Sequence, residues 1–197
     1  MSEFVIIIDA SRNKTIEVAL QNCTTLSNNG DDLENRKIVA RVVEREVFIR
    51  IMFLILMLNA TKRTLTPEQW RNIQLTSSFE NALYGLRTWA GNVKIDLINF
   101  VPFVRETFLA KQHLWIAIDE ANDWVANTTG YFVSKTNQLT SRPLLNAVVG
   151  ALVSITVRIR ILIAGTYLSI ISLDVVFVFS FQITFAVTHH SILFHSF

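Results

Sequence analysis

Between Leu144 and Val187 the chain carries only three charges, Arg158, Arg160 and Asp174, in a run dominated by Val, Ile, Leu and Phe. As a helix that run would measure ~66 Å, about twice the hydrocarbon thickness of a bilayer. A chain of 197 residues has too little structure elsewhere to bury such a length in a core of its own. The run therefore predicts a membrane segment, and the charge-rich residues before it predict a water-facing head. The chain divides on this reading into an N-terminal segment 1–34, a head 35–142, a membrane tail 143–188 of one or two passes, and an end segment 189–197. Hydrophobic residues at 51% against 17% charged lean the same way. Inside the tail, Ser154–Ile161 alternates polar and apolar residues, which is a strand pattern. A lone strand leaves its backbone groups unpaired in lipid, so a helical tail is the expectation.

The head reads as helical. A polar stretch, Asn28–Asn35, predicts a loop, and Asp31, Asp32 and Glu34 suit the positive end of a helix running from about Asn35 to Leu58. The second half of that helix, VFIRIMFLILML, is apolar all round except for Arg50. It is too short to span a bilayer and long enough to be a buried core helix. Thr64–Pro67 predicts a turn with Pro67 at a first helical position. Further helices are expected at roughly 67–87, 92–112 and 112–126, the second with an apolar stripe of Val93, Leu97, Phe100, Val101 and Val104 interrupted by Pro102. The expected fold class is all-α: a small helical bundle around an apolar central helix, with a C-terminal transmembrane segment.

A net charge of +2 without a Lys/Arg-rich block argues against nucleic acid as a partner. Cys23 is the sole cysteine, so no internal disulfide forms and a reducing compartment is favoured. Met1–Arg12 lacks the basic-then-apolar pattern of a secretory leader, which predicts insertion through the C-terminal segment after synthesis. No Gly-rich phosphate loop, nucleophile elbow, zinc spacing or paired-cysteine motif is present, so neither an enzyme nor a cofactor is expected. Asp119 and Asp123, one helical turn apart beside Glu120 and His113, read first as a solvated helix face. The weaker alternative is a metal-dependent enzyme using His113, Asp119 and Asp123. His189, His190 and His195 lie near the end of the sequence and read as incidental.

Several short segments, taken in order, resemble motifs of the Bcl family of apoptosis regulators. WVANTTGY (Trp124–Tyr131) is similar to the family's second homology motif, and TWAGNV (Thr88–Val93) to its first. RPLLNAVVGALVSITVRIR resembles the tail anchor of an effector member, and LTPEQW and SSFENAL occupy places where the family has similar residues. The first motif departs by Ala90 after the tryptophan and by lacking its arginine; the second has Thr129 in place of a glycine. Asn35–Val47 resembles the third motif in one register and the fourth in another, so the direction of any effect on survival stays open. The resemblance implies a regulator at the mitochondrial outer membrane, or another intracellular membrane such as the endoplasmic reticulum, with its head in the cytosol. Its partners would be Bcl-family proteins or their helical motifs, membrane lipid and further copies of itself. The implied partner-helix groove comprises Trp89, Gly91, Asn92, Trp124, Gly130 and Tyr131, and the implied helix-motif face comprises Val39, Val42 and Glu44. The rival expectation is a small polytopic membrane protein, channel-forming and without a groove.

Overall fold

Val5–Asp9 is a run of β-branched residues closed by an acid, and it forms a strand, β1. Leu114–Asp119 forms β2, with Leu114, Ile116, Ala117 and Ile118 buried, as suits a strand covered on both faces. With β5 (Ile159–Gly165) and β6 (Ile183–Val187) they make a four-stranded sheet of order β1-β2-β5-β6. β5 and β6 are parallel, from Ile161 opposite Ile183 to Gly165 opposite Val187. β1 and β2 also run the same way, because Trp115 N–H donates to the Phe4 carbonyl and Ala10 N–H to that of Asp119. A parallel neighbour requires a crossover. Here it carries α1 (Lys14–Ala19), α2 (Asp32–Ala60), α3 (Pro67–Gln74), α4 (Phe79–Ala90) and α5 (Leu97–Thr107). A two-stranded antiparallel ribbon, β3 (Phe132–Val133) and β4 (Ser141–Arg142), precedes α6 (Leu144–Ile155). This computed structural model describes residues 3–28, 30–91, 93–125, 130–133, 141–155, 159–165 and 183–187.

The fold is therefore mixed α/β, which corrects the all-α bundle expected above. Leu114–Asp119 lies in the stretch 112–126 read as helix; five apolar residues closed by an acid do not distinguish a buried strand from a buried helical segment by periodicity. The tail is corrected as well. α6 stops at Ile155, and Ile159–Gly165 enters the sheet as β5. Among the described residues no helix is long and apolar enough to cross a membrane. The apolar composition that suggested lipid suits the near-continuous hydrophobic runs of a parallel sheet. Asp174, His189, His190 and His195 lie outside the described residues.

Local signals set the helix ends. The Thr66 hydroxyl accepts from Gln69 N–H while the Gln69 side chain accepts from Thr66 N–H, a reciprocal cap with Pro67 in the first turn. Asp96 caps α5 by accepting from Asn99 N–H. Asp32 and Glu34 fall in the first turn of α2, as expected.

The chain divides into two compact units, residues 1–7, 44–117 and 155–160 in the first, and 8–43, 118–154 and 161–197 in the second. In the first, Trp70 is fully buried and meets Phe79 edge-on at 5.9 Å. α2 and α4 are joined there by a buried charge network. Arg87 of α4 grips Glu46 of α2 with Nε at 2.9 Å and Nη2 at 3.0 Å, and both Arg87 and Arg50 bond Glu80. In the second unit Ile8, Ile118, Trp124, Phe132 and Leu145 are completely buried. Asp32, Asn35 and Arg36, on the first turns of α2, bond the backbone of Tyr131 and Val133 and so hold β3 along its outer side.

Candidate functional site at the carboxyl edge of the sheet

Ligands of open α/β sheets bind outside the carboxyl ends of the strands, where loops are free to vary and the sheet holds them still. Here β1 ends in Asp9 and β2 in Asp119, followed by Glu120. The Ala10 N–H donates to the Asp119 carbonyl at 2.8 Å, so these two strand ends are neighbours. All three acids are half-buried.

Each acid is set by its own turn. Asp9 Oδ1 accepts from Ser11 N–H at 3.0 Å and Ser11 Oγ–H at 2.6 Å, and Oδ2 pairs with Arg12 at 3.0 Å. The Asp9 carbonyl receives Arg12 and Asn13 N–H, turning the chain into α1, which buried Asn13 caps by accepting from Ile16 N–H at 3.3 Å. Asp119 Oδ1 accepts from Glu120 N–H at 3.0 Å. Glu120 itself is left-handed, with φ +49°, a conformation that costs a non-glycine residue of order 1 kcal/mol or more. Ala121 and Trp124, in the 3₁₀ turn that follows, are both fully buried. Among the described residues no three His, Cys, Asp or Glu side chains come together as a self-sufficient metal cage. Mg²⁺ does not need one, since it binds through one or two carboxylates, waters and the phosphates of its ligand.

The metal grouping expected from the sequence does not form on one helix face. His113 precedes β2 and Asp119 ends it, ~20 Å apart at the rise of a strand. Asp123 is exposed in the 3₁₀ turn, its carboxylate receiving Asn122 Nδ2–H.

The residues of the expected groove fall in both units. In the first, Trp89 is half exposed and stacks on Phe48 at 6.0 Å, and Gly91 ends α4. In the second, Trp124 is wholly buried. Gly130 takes φ +94°, which requires glycine, and its carbonyl receives Leu26 N–H, while the Tyr131 carbonyl receives Asn35 Nδ2–H. Asn92 lies outside the described residues. On α2, Val39 is buried and Val42 and Glu44 are half-buried, with burial pushing the Glu44 carboxyl up. The implied groove was drawn on a resemblance to an all-α family, whereas the fold here is mixed α/β.

Asp9 went unnoticed in the sequence, although a signal was there. Val5–Asp9 and Trp115–Asp119 share an apolar run ending Ile-Asp, the pattern of a buried strand delivering an acid to its carboxyl end. Comparison with protein-family models, curated proteins and solved structures found no match for this chain.

Proposed function

We propose that the carboxyl edge of the sheet binds a phosphate-bearing ligand, of the nucleotide class, together with a divalent cation. The observation that carries this reading is the delivery of Asp9 and Asp119–Glu120 to the neighbouring ends of two parallel strands. Oxygen donors of this kind suit Mg²⁺, and the phosphates complete its coordination. In this reading Asp119, fixed by its bond to Glu120 N–H, holds the cation. Glu120, turned out of the strand direction by its left-handed backbone, orients a water towards the terminal phosphate, which makes hydrolysis the matching reaction.

The test is equilibrium binding of a fluorescent ATP analogue to the full chain, with Mg²⁺ and with chelator. Binding should require the metal and weaken about tenfold or more in Asp119→Asn, since losing one charged ligand costs at least ~1.4 kcal/mol. Metal-independent binding, or equal affinity in a folded Asp119→Asn protein, would refute it.

A further inference from the structure

β1 lies at one end of the strand order, so among the described residues one of its long sides has no strand neighbour in the sheet. Such an edge offers a row of backbone donors and acceptors to any other strand. Alternation fixes which residues face it. Phe4 and Ala10 bond β2, so the even-numbered residues turn their peptide groups inwards and Val5 and Ile7 turn theirs to the open side.

That side is closed by side chains of α3. Gln74 Nε2–H donates to the Val5 carbonyl at 2.8 Å, and Gln74 Oε1 accepts from Ile7 N–H at 2.9 Å. A residue of a parallel neighbour makes this same pair of bonds, to the carbonyl of one residue and the N–H of the next but one. The Gln74 amide thus stands in for one residue of a missing strand. Trp70 Nε1–H reaches the same Val5 carbonyl at 2.7 Å, filling its second lone pair. Both side chains are buried.

The segment so covered is itself hazardous. Phe4–Ile8 reads FVIII, with no charge, proline or glycine, and with the β-branched composition that favours self-pairing. We infer that Gln74 is an edge plug, and that its amide keeps β1 from pairing with β1 of a second copy of this chain. A two-fold axis between two such edges brings identical strands together antiparallel, an isologous and self-limiting contact. The occupant is a second copy because the exposed strand would be its own best complement: apolar, β-branched and identical.

The experiment compares self-association of the full-length wild type and Gln74→Met by sedimentation velocity over a concentration series, with circular dichroism to confirm folding. Methionine keeps the length and apolar packing of the side chain but makes neither bond. The variant should dimerise at a concentration about tenfold or more below the wild type. The Ile7 amide should exchange faster with deuterium in dilute variant and regain protection on association. If Gln74→Met does not fold, Gln74→Glu, which keeps the acceptor for Ile7 N–H, is read the same way and should associate at intermediate concentration. A folded variant that sediments like the wild type at every concentration would overturn the inference. So would association that leaves Ile7 unprotected.

Discussion

Arg87→Met should be among the most damaging single substitutions in the first unit. Glu46 is fully buried on α2, and both of its carboxylate oxygens are held by the Arg87 guanidinium, at 2.9 and 3.0 Å. Arg50 Nη2 also stands 3.7 Å from Glu46, but it is committed to Glu80. Breaking one side of a buried pair costs ~3–5 kcal/mol, chiefly because the other charge is left without compensation. The Arg87 side chain is 20% exposed and Arg50 remains, which places the expected loss near the lower bound, about 3 kcal/mol. With a urea dependence of ~2–3 kcal/mol per molar, the unfolding midpoint should fall by about 1 M. The double variant Glu46→Met/Arg87→Met should recover at least half of the loss, since it removes the buried charge along with its bidentate partner. Arg87→Lys should fall between, keeping the charge without the fork. A loss under about 1 kcal/mol, or a double variant no more stable than the single, would refute the account of Glu46 as a charge dependent on its partner.

The same network sets an acid limb. Burial pushes the Glu80 carboxyl up, but Arg50 and Arg87 outweigh it and hold the group below the usual carboxylate range. A depressed folded value means the contribution is fully present above the unfolded pKa of ~4.3 and is lost as pH falls through the folded value. Thermal melts of Glu80→Gln should therefore show a shallower decline below about pH 4.5 than those of the wild type, and parallel declines would exclude this origin. In the second unit, Asn35→Leu should cost about 2–4 kcal/mol in urea unfolding. It strands the Thr24 N–H and the Thr24 and Tyr131 carbonyls, which Asn35 now bonds at 3.1, 2.8 and 2.9 Å. A loss no larger than that of an exposed substitution, about 0.5 kcal/mol, would mean that water replaces the amide.

Local signals carried the helices well and the sheet badly. The acids before α2 and its long apolar stretch predicted a helix from about Asn35 to Leu58, and it runs Asp32–Ala60. Pro67 was legible for the same reason: a cap lies within four residues of what it caps. The stretch 67–87 was expected as one helix, but it breaks between Gln74 and Phe79, where Thr76 Oγ1–H turns back to the Ile73 carbonyl. β2 was missed because its neighbours β1 and β5 both lie far from it in the sequence and the six-residue run has no period of its own. The site suffered from the same error. Asp119 was noticed, but a helical reading grouped it with Asp123, whereas the strand sets it beside the end of β1. The tail failed by composition, since a buried parallel strand and a lipid-facing segment are built from the same residues.

The buried amides explain how so few strands leave their backbone groups satisfied. Asn13, Asn35 and Gln74 are the buried Asn and Gln residues among those described, and each bonds main chain. An amide has a donor and an acceptor at the spacing of a peptide group, so it replaces a strand residue where no strand arrives. The two clearest cases follow the two ladder patterns. Gln74 bonds the carbonyl of Val5 and the N–H of Ile7, the offset of a parallel neighbour. Asn35 bonds both the N–H and the carbonyl of the single residue Thr24, the exchange of an antiparallel pair. A carboxylate at either position would supply only acceptors and set a charge against a carbonyl; a hydrocarbon would supply nothing. The choice of amide at these positions is thus dictated by the backbone it faces, more than by the helix that carries it.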